Sequence, residues 1–310
     1  MLANNNKAII NKLAKNSVKT NKKQYAILFF TIILSAFMLF CVFTIGMTYL
    51  DSSRLQNTRL NGAEYDIATM NGFTSEQLNT LRQNEHIRSV GRESYAGFIQ
   101  STEYDKTVEV GLLWCDEVFW DNLMASARTK LDGHYPQNKN ELMVTKDILK
   151  ACGNENLSVG DSLILTYENN KGVYTDEFII SGIWDGYGDT SAGFVSKAFY
   201  DESGYDLKNN GILCIKLNHN YVFPTTIQSI EKSLDFSDGQ IFAPTGYIEN
   251  SFKLLLGICG LALVICLSAY LLIYNILYLS VSGKIRYYGL LQSLGMTKKQ
   301  LVRFIIKQMI

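Results

Sequence analysis

Two long, uncharged apolar runs constrain this chain more than any other feature. Residues 24–50 and 254–283 contain no Asp, Glu, Lys or Arg. Their cores read YAILFFTIILSAFMLFCVFTIGMTYL and LLLGICGLALVICLSAYLLIYNILYLSV. A bilayer core of about 30 Å is crossed by about 20 helical residues, so each run is long enough to span one. A buried core helix of a soluble protein is shorter and seldom free of charge over such a length. A cleaved signal peptide needs an apolar stretch of about 7–15 residues and a small-residue cleavage site. The first run has neither, and an uncleaved membrane anchor fits it better.

Charge orients the two runs. Residues 1–24 hold six lysines and no acid, and residues 283–310 hold six basic residues and no acid. All 29 acidic residues fall between Asp51 and Glu249, where 16 basic residues accompany them, a net of −13. Basic flanks without acids mark the cytoplasmic ends of membrane helices. Both flanks are therefore expected in the cytoplasm and residues 51–250 outside it, in a multi-pass protein of the cell membrane. The overall charge of zero conceals this polarity and gives no reason to expect a nucleic-acid partner.

At 1.5 Å per residue the runs extend for roughly 40 Å, more than a bilayer core requires. Either tilt absorbs the excess, or the helices continue past the membrane as a stalk. The first 24 residues place Ile9, Ile10, Leu13, Ala14 and Val18 at helical spacing among lysines. That pattern reads as a basic amphipathic helix on the cytoplasmic leaflet, with a disordered basic leader as the alternative.

The outer segment alternates short β patterns with helical ones. Strands are expected at 64–70, 90–100, 108–114, 141–145, 162–167, 177–184 and 211–217. Helices are expected at 75–83, 146–151 and 225–234, with a less regular helical pattern at 116–124. Asn61-Gly62, Asp132-Gly133 and Asp238-Gly239 read as turns. The sum is an α+β domain large enough for its own core.

Catalytic sets are not evident in it. His86, His134 and His219 are isolated from one another and from cysteines, so no metal-ligand spacing forms. No GxSxG elbow and no Walker-type glycine loop occurs. Neither a catalytic residue, a metal nor a cofactor is expected, and the chain does not read as an enzyme. Trp184-Asp185-Gly186-Tyr187-Gly188-Asp189 is an aromatic, glycine-rich stretch that suits either binding or an ordinary exit from a strand. Cys115, Cys152 and Cys214 lie outside the runs, and their spacing fits one disulfide with a free thiol as well as three free thiols. Six cysteines in 310 residues exclude a disulfide-dense scaffold.

After the second run comes GKIRYYGLLQSLGMTKKQLVRFIIKQMI. Ile285, Tyr288, Leu291 and Leu294 recur every third residue, giving one apolar or aromatic face on a short helix. Gly295 supplies a left-handed helix stop, and Thr297 with Gln300 forms a capping box for a further helix over 301–310.

The stretch from Arg286 to Gln300, RYYGLLQSLGMTKKQ, resembles the signature of FtsX/MacB-type ABC permeases: a basic residue, Gly-x-Leu, then a small-Leu-Gly turn into a further membrane helix. In the outer segment Gly133-His134-Tyr135-Pro136, Glu141-Leu142-Met143-Val144, Leu157-Ser158-Val159-Gly160-Asp161 and Phe178-Ile179-Ile180-Ser181-Gly182-Ile183 resemble the pattern of the MacB-like periplasmic core domain. The order of helix, outer domain and helix extends the resemblance over essentially the whole chain. It departs at Tyr287, where many members carry Glu, so a charge pairing at that position has no support here.

The resemblance implies a membrane protein with two long transmembrane α-helices flanking an α+β extracytoplasmic domain and the start of a third membrane helix. Its parts would be 1–24, a cytoplasmic amphipathic helix; 25–50, the first span; 51–250, the outer domain; and 251–282, the second span. A cytoplasmic coupling helix over 283–296 and the start of a third span over 297–310 would follow. Family members continue through at least two more membrane helices, so the chain reads as part of a permease. Its partners would be an ABC ATPase subunit on the cytoplasmic side, the lipid bilayer and a second permease copy. Ile285, Arg286, Tyr288, Gly289, Leu291, Leu294 and Gly295 would form the helix that takes up the ATPase's movement. The transported class would be peptides, lipids or antibiotics, or there would be none if the outer domain drives a wall enzyme. Neither run contains an ionisable side chain apart from tyrosines and cysteines, so no ion pathway is written in them. The rival reading is a two-span receptor with an extracytoplasmic sensor, for which the cytoplasmic tail offers no output domain.

Overall fold

A computed structural model describes residues 7–20, 22–100, 110–187 and 192–309. The chain forms two compact units, Tyr49–Leu255 and Met1–Thr48 together with Leu256–Ile310. It opens with helices α1 (Lys7–Thr20) and α2 (Lys22–Asn61). Strand β1 (Ile67–Met70), helix α3 (Ser75–Gln83), strands β2 (Ile87–Ile99) and β3 (Val110–Cys115) follow. A π-helical turn (Val118–Leu123) leads to β4 (Arg128–Gly133), β5 (Glu141–Thr145) and α4 (Lys146–Ala151). Then come β6 (Ser162–Asn169), β7 (Gly172–Gly186), β8 (Ala192–Val195), α5 (Lys197–Glu202) and α6 (Leu207–Asn210). Strand β9 (Gly211–Leu217), α7 (Pro224–Lys232) and β10 (Ile241–Pro244) complete the domain. Helices α8 (Gly246–Ser282), α9 (Ile285–Ser293) and α10 (Lys298–Met309) close the chain.

All ten strands join one mixed sheet in the order β10-β1-β9-β2-β3-β8-β5-β7-β4, with β6 pairing both β2 and β7. Through β6 the strands β2, β3, β8, β5, β7 and β6 return to their start and form a small closed barrel. Closure requires β2 and β6 to approach where Phe98 faces Glu168. Gly97 permits it, because a Cβ there would stand 2.8 Å from the Glu168 carbonyl oxygen. The interior is filled by Leu112, Leu142, Val144, Leu163, Leu165 and Ile180, all essentially unexposed. Helices α4 and α5 add Ile148, Leu149, Phe199 and Tyr200 to this core. A second core lies where β1, β9 and the first half of β2 meet α3 and α7 through Ile67, Val90, Ile215, Leu81 and Ile230. A third, under the π-helical turn, packs Trp120, Phe194, Trp184 and Met143.

The regular elements follow from local chemistry. Thr74 and Gln77 close a capping box at α3, and Thr145, Ser196 and Asp206 cap α4, α5 and α6 with their side-chain oxygens. The irregular pattern at 116–124 becomes a single π-helical turn, held at its start by Asp116 accepting from the Phe119 N–H at 2.9 Å. Cys115, Cys152 and Cys214 are all free thiols, so the disulfide alternative does not hold. Burial pushes the thiols of Cys115 and Cys214 well above their ordinary range.

Helices α2 and α8 are both long and apolar enough to cross a membrane. Their large side chains point outward: Phe30 and Phe40 are 67% exposed, and Leu256 is 63% exposed. A soluble core helix would bury such residues, whereas lipid accommodates them. Helix α2 extends past its apolar run to Asn61 through a polar stretch containing Asp51, Arg54 and Arg59.

In the helical unit, α1 turns Ile10 and Ala14 inward against Phe304 of α10 and Tyr288 and Leu291 of α9. The apolar stripe expected to rest on lipid headgroups is thus partly occupied by protein.

Candidate functional site

The segment after α8 is organised by three successive backbone devices. At the end of α8, the N–H groups of Gly283 and Lys284 donate to Leu279 and Val281 carbonyls, turning the chain into α9. At the end of α9, Gly295 takes φ 99°, a left-handed conformation that a side chain strains. The Gly295 N–H donates to the Gln292 carbonyl and the Met296 N–H to the Leu291 carbonyl. Those two bonds, with the shared apolar cluster of Met296 and Leu291, make a Schellman stop. Thr297 and Gln300 then bond reciprocally, Thr297 N–H to Gln300 Oε1 at 3.0 Å and Gln300 N–H to Thr297 Oγ1 at 3.4 Å. The corner between α9 and α10 is therefore specified at every position.

The expected single face of α9 is divided. Tyr288 and Leu291 are buried, 6% and 9% exposed, with Phe304 edge-on to Tyr288 at 6.3 Å. Ile285 and Leu294 are 63% and 77% exposed. The physical reason is geometric. A three-residue step falls short of a full turn by roughly 60°, so a run of three such steps drifts halfway round the helix. The middle pair faces inward and the end pair flanks the opposite side. That outward side is centred on Arg286, Gly289, Leu290 and Ser293, all exposed. Leu290 and Ser293 were missed by counting in threes; placing each residue at its helical angle finds them.

The mixed domain keeps its other sequence candidates apart. The three histidines join no cluster, and among the described residues no three or more His, Cys, Asp or Glu side chains gather as metal ligands would. In the glycine-rich stretch, Trp184 is buried and its indole N–H donates to the Ala192 carbonyl at 3.1 Å. Tyr187 receives the Arg59 guanidinium on its ring face at 4.2 Å. Those residues serve packing; Gly188 and Asp189 lie outside the described residues.

No family model matches the sequence, and no curated protein is similar to it. Among solved structures, the chain is similar to the periplasmic region of MacB from Actinobacillus actinomycetemcomitans. The match has 14% identity and a TM-score of 0.41, over 63% of this chain and 95% of that one. It is also similar to the extracellular domain of the ABC-type transporter YknZ from Gram-positive bacteria. There the identity is 13% and the TM-score 0.35, over 54% of this chain and 87% of that one. What this chain's own residues establish is a mixed α/β domain set between two helices of membrane length, followed by a sharply cornered helix pair with one face uncommitted.

Proposed function

We propose that the chain is part of the membrane subunit of an ABC transporter, with α9 as the element that meets a partner ATPase. In this reading the basic ends and the α9–α10 corner lie in the cytoplasm, and the mixed domain lies outside. The chain hydrolyses no ATP itself; the partner does, and its closure pushes on the outward face of α9. Tyr288 and Leu291 hold α9 to α1 and α10, so a push on Arg286, Leu290 or Leu294 moves the helical cluster rather than unwinding one turn. The charge-free runs within α2 and α8 suit carrying that movement better than conducting a polar solute. The work done outside would be export or release of a peptide, lipid or antibiotic-like molecule, with a second permease copy completing the assembly.

The observation that supports this most is the division of α9. A helix serving only as a basic anchor has no need of a Schellman stop, a capping box and an exposed Ile285–Leu290–Leu294 surface beside Arg286. The test is co-purification of the full chain with an ATP-hydrolysing subunit produced beside it. Leu290→Asp together with Leu294→Asp is expected to abolish association, and Tyr288→Phe to preserve it. Unchanged association of the double variant overturns the assignment.

A further inference from the structure

The outer domain carries a cleft of about 670 Å³ that anchoring and force transmission leave without a role. Its floor is aromatic. Trp114 lies stacked on Tyr200 at 5.0 Å, and Trp120 lies 5.0 Å from Tyr135. Tyr135 is fixed in place, its hydroxyl accepting from the Cys115 N–H at 3.0 Å. Two cations converge on one indole: the Arg92 guanidinium carbon stands 5.8 Å, and the Lys197 ammonium 5.4 Å, from the Trp114 ring. Arg82 joins them at the rim.

The hydrogen bonding leaves one group open. Asp116 accepts from the Arg92 N–H at 3.0 Å, from Arg92 Nε at 2.8 Å and from the Phe119 N–H at 2.9 Å. Its carboxylate is thereby occupied, and it locks the inner edge of the guanidinium. The two Nη groups of Arg92 make no hydrogen bond among the described residues, and Arg92 remains partly exposed to the cleft. A guanidinium fork held rigid on one edge and open on the other matches a planar carboxylate through two parallel bonds. Glu117 and Asp121 on the lining repel a dianion such as a phosphate monoester, and they tolerate a single carboxylate carried by an otherwise neutral or cationic molecule. The flat rings beside the fork suit an apolar group next to that carboxylate.

We infer that this cleft binds the free C-terminus of a short peptide with an apolar last residue, its carboxylate on Arg92 and its side chain against Trp114 and Trp120. The inference concerns the outer domain alone and stands whether or not α9 docks an ATPase.

Two of the protein's three tryptophans line the cleft, so intrinsic fluorescence reports occupancy. The full chain in detergent micelles is titrated with the tripeptide Gly-Gly-Phe and, separately, with its C-terminal amide. Saturable quenching by the carboxylate form is expected, with the amide at least about 10-fold weaker, since the charge-assisted fork is lost. Arg92→Lys keeps a positive charge for Asp116 and removes the fork, and it is expected to weaken the carboxylate form to the level of the amide. Arg82→Gln alters only an exposed rim residue, keeps the fold, and should weaken binding by a few-fold. Three results overturn the site: no saturation by the carboxylate peptide up to about 10 mM, equal affinity for the amide, or undiminished affinity in both variants.

Discussion

The Lys216 ammonium stands 3.3 Å from the Asp66 carboxylate, with both side chains almost wholly buried, 7% and 2% exposed. Glu64 completes the group at 3.2 Å. Asp66 follows the end of α2, and its carbonyl accepts from the Thr245 N–H at 2.8 Å, just before α8 begins. Its carboxylate also accepts from the Leu217 N–H at 2.9 Å. One residue therefore ties both chain connections of the mixed domain to strand β9. Burial holds the Asp66 carboxyl above its ordinary range even with Lys216 beside it, so the ion pair is under a desolvation cost. Lys216→Met strands that carboxylate and is expected to destabilise the domain by about 3–5 kcal/mol. Adding Asp66→Asn should recover most of the loss, because an amide oxygen can still accept from Leu217. Denaturant unfolding of the full chain measures both, and a neutral Lys216→Met would remove the pair from any structural role.

Much of this architecture was legible in the residues. Strands at Glu141–Thr145 and Gly211–Leu217, and helices at Ser75–Gln83 and Lys146–Ala151, have the bounds their patterns foretell. The missed elements share a physical cause. Strand β4 (RTKLDG) pairs only with β7, leaves most of its side chains exposed and so shows no alternation. Strands β8 and β10 have four residues each, too few for a period to register. Helices α5 and α6 announce themselves only through Ser196 and Asp206 as caps, a signal that short helices carry without an apolar stripe. The barrel closure is invisible locally, since it depends on Glu168 of β6 meeting Phe98 of β2, far back along the chain.

Glu93 makes stability depend on pH. It is half-buried on β2, between β3 and β9, with the Cys214 thiol donating to its carboxylate at 3.8 Å. Desolvation pushes its carboxyl up from 4.5 to about 7. Tyr65 and Cys115, also raised by burial, face the same pocket of low polarity. A raised acid holds its proton longer in the folded state than in the unfolded chain, so stability falls as pH climbs from about 4.5 through about 7. Glu93→Gln removes the ionisation and should be more stable than the parent above pH 7, by up to about 3 kcal/mol for a shift of this size. Below pH 4.5 the two should converge. Thermal unfolding of both proteins at pH 4.5 and pH 8 checks this, and a constant difference between them would show that Glu93 ionises at no cost.

The corner after α9 makes a local prediction. Gly295→Ala places a Cβ on a left-handed residue at a cost of about 1–2 kcal/mol, and Thr297→Ala removes a cap contributing about 1 kcal/mol. The amides of Gly295 and Met296, which donate to Gln292 and Leu291, should then exchange with solvent about 10-fold faster. Amides in the barrel strands should be unaffected. Hydrogen exchange of the full chain reads both regions at once, and unaltered protection at Met296 would mean the Schellman bonds do not set the corner.

Helices α2 and α8 approach closely at one point in the helical unit. A Cβ on Gly46 would lie 2.7 Å from Ile258 Cδ1 and 2.8 Å from Cγ1. Cγ2 lies at 3.1 Å, and Cγ1 and Cγ2 both sit on the stiff β-branched Cβ, so even Gly46→Ala requires Ile258 or the backbone to shift. Gly46→Leu demands far more space. It should force the two helices apart and destabilise the unit by about 1–3 kcal/mol, the usual effect of overpacking. Ile258→Ala alone removes a partner and should also destabilise, yet combined with Gly46→Leu it returns the space and should restore stability. The coupling between the two substitutions is therefore expected to be favourable and larger than about 0.5 kcal/mol in a double-mutant cycle. Thermal inactivation of the four proteins in micelles measures it. Strict additivity would mean that Gly46 and Ile258 do not pack on one another.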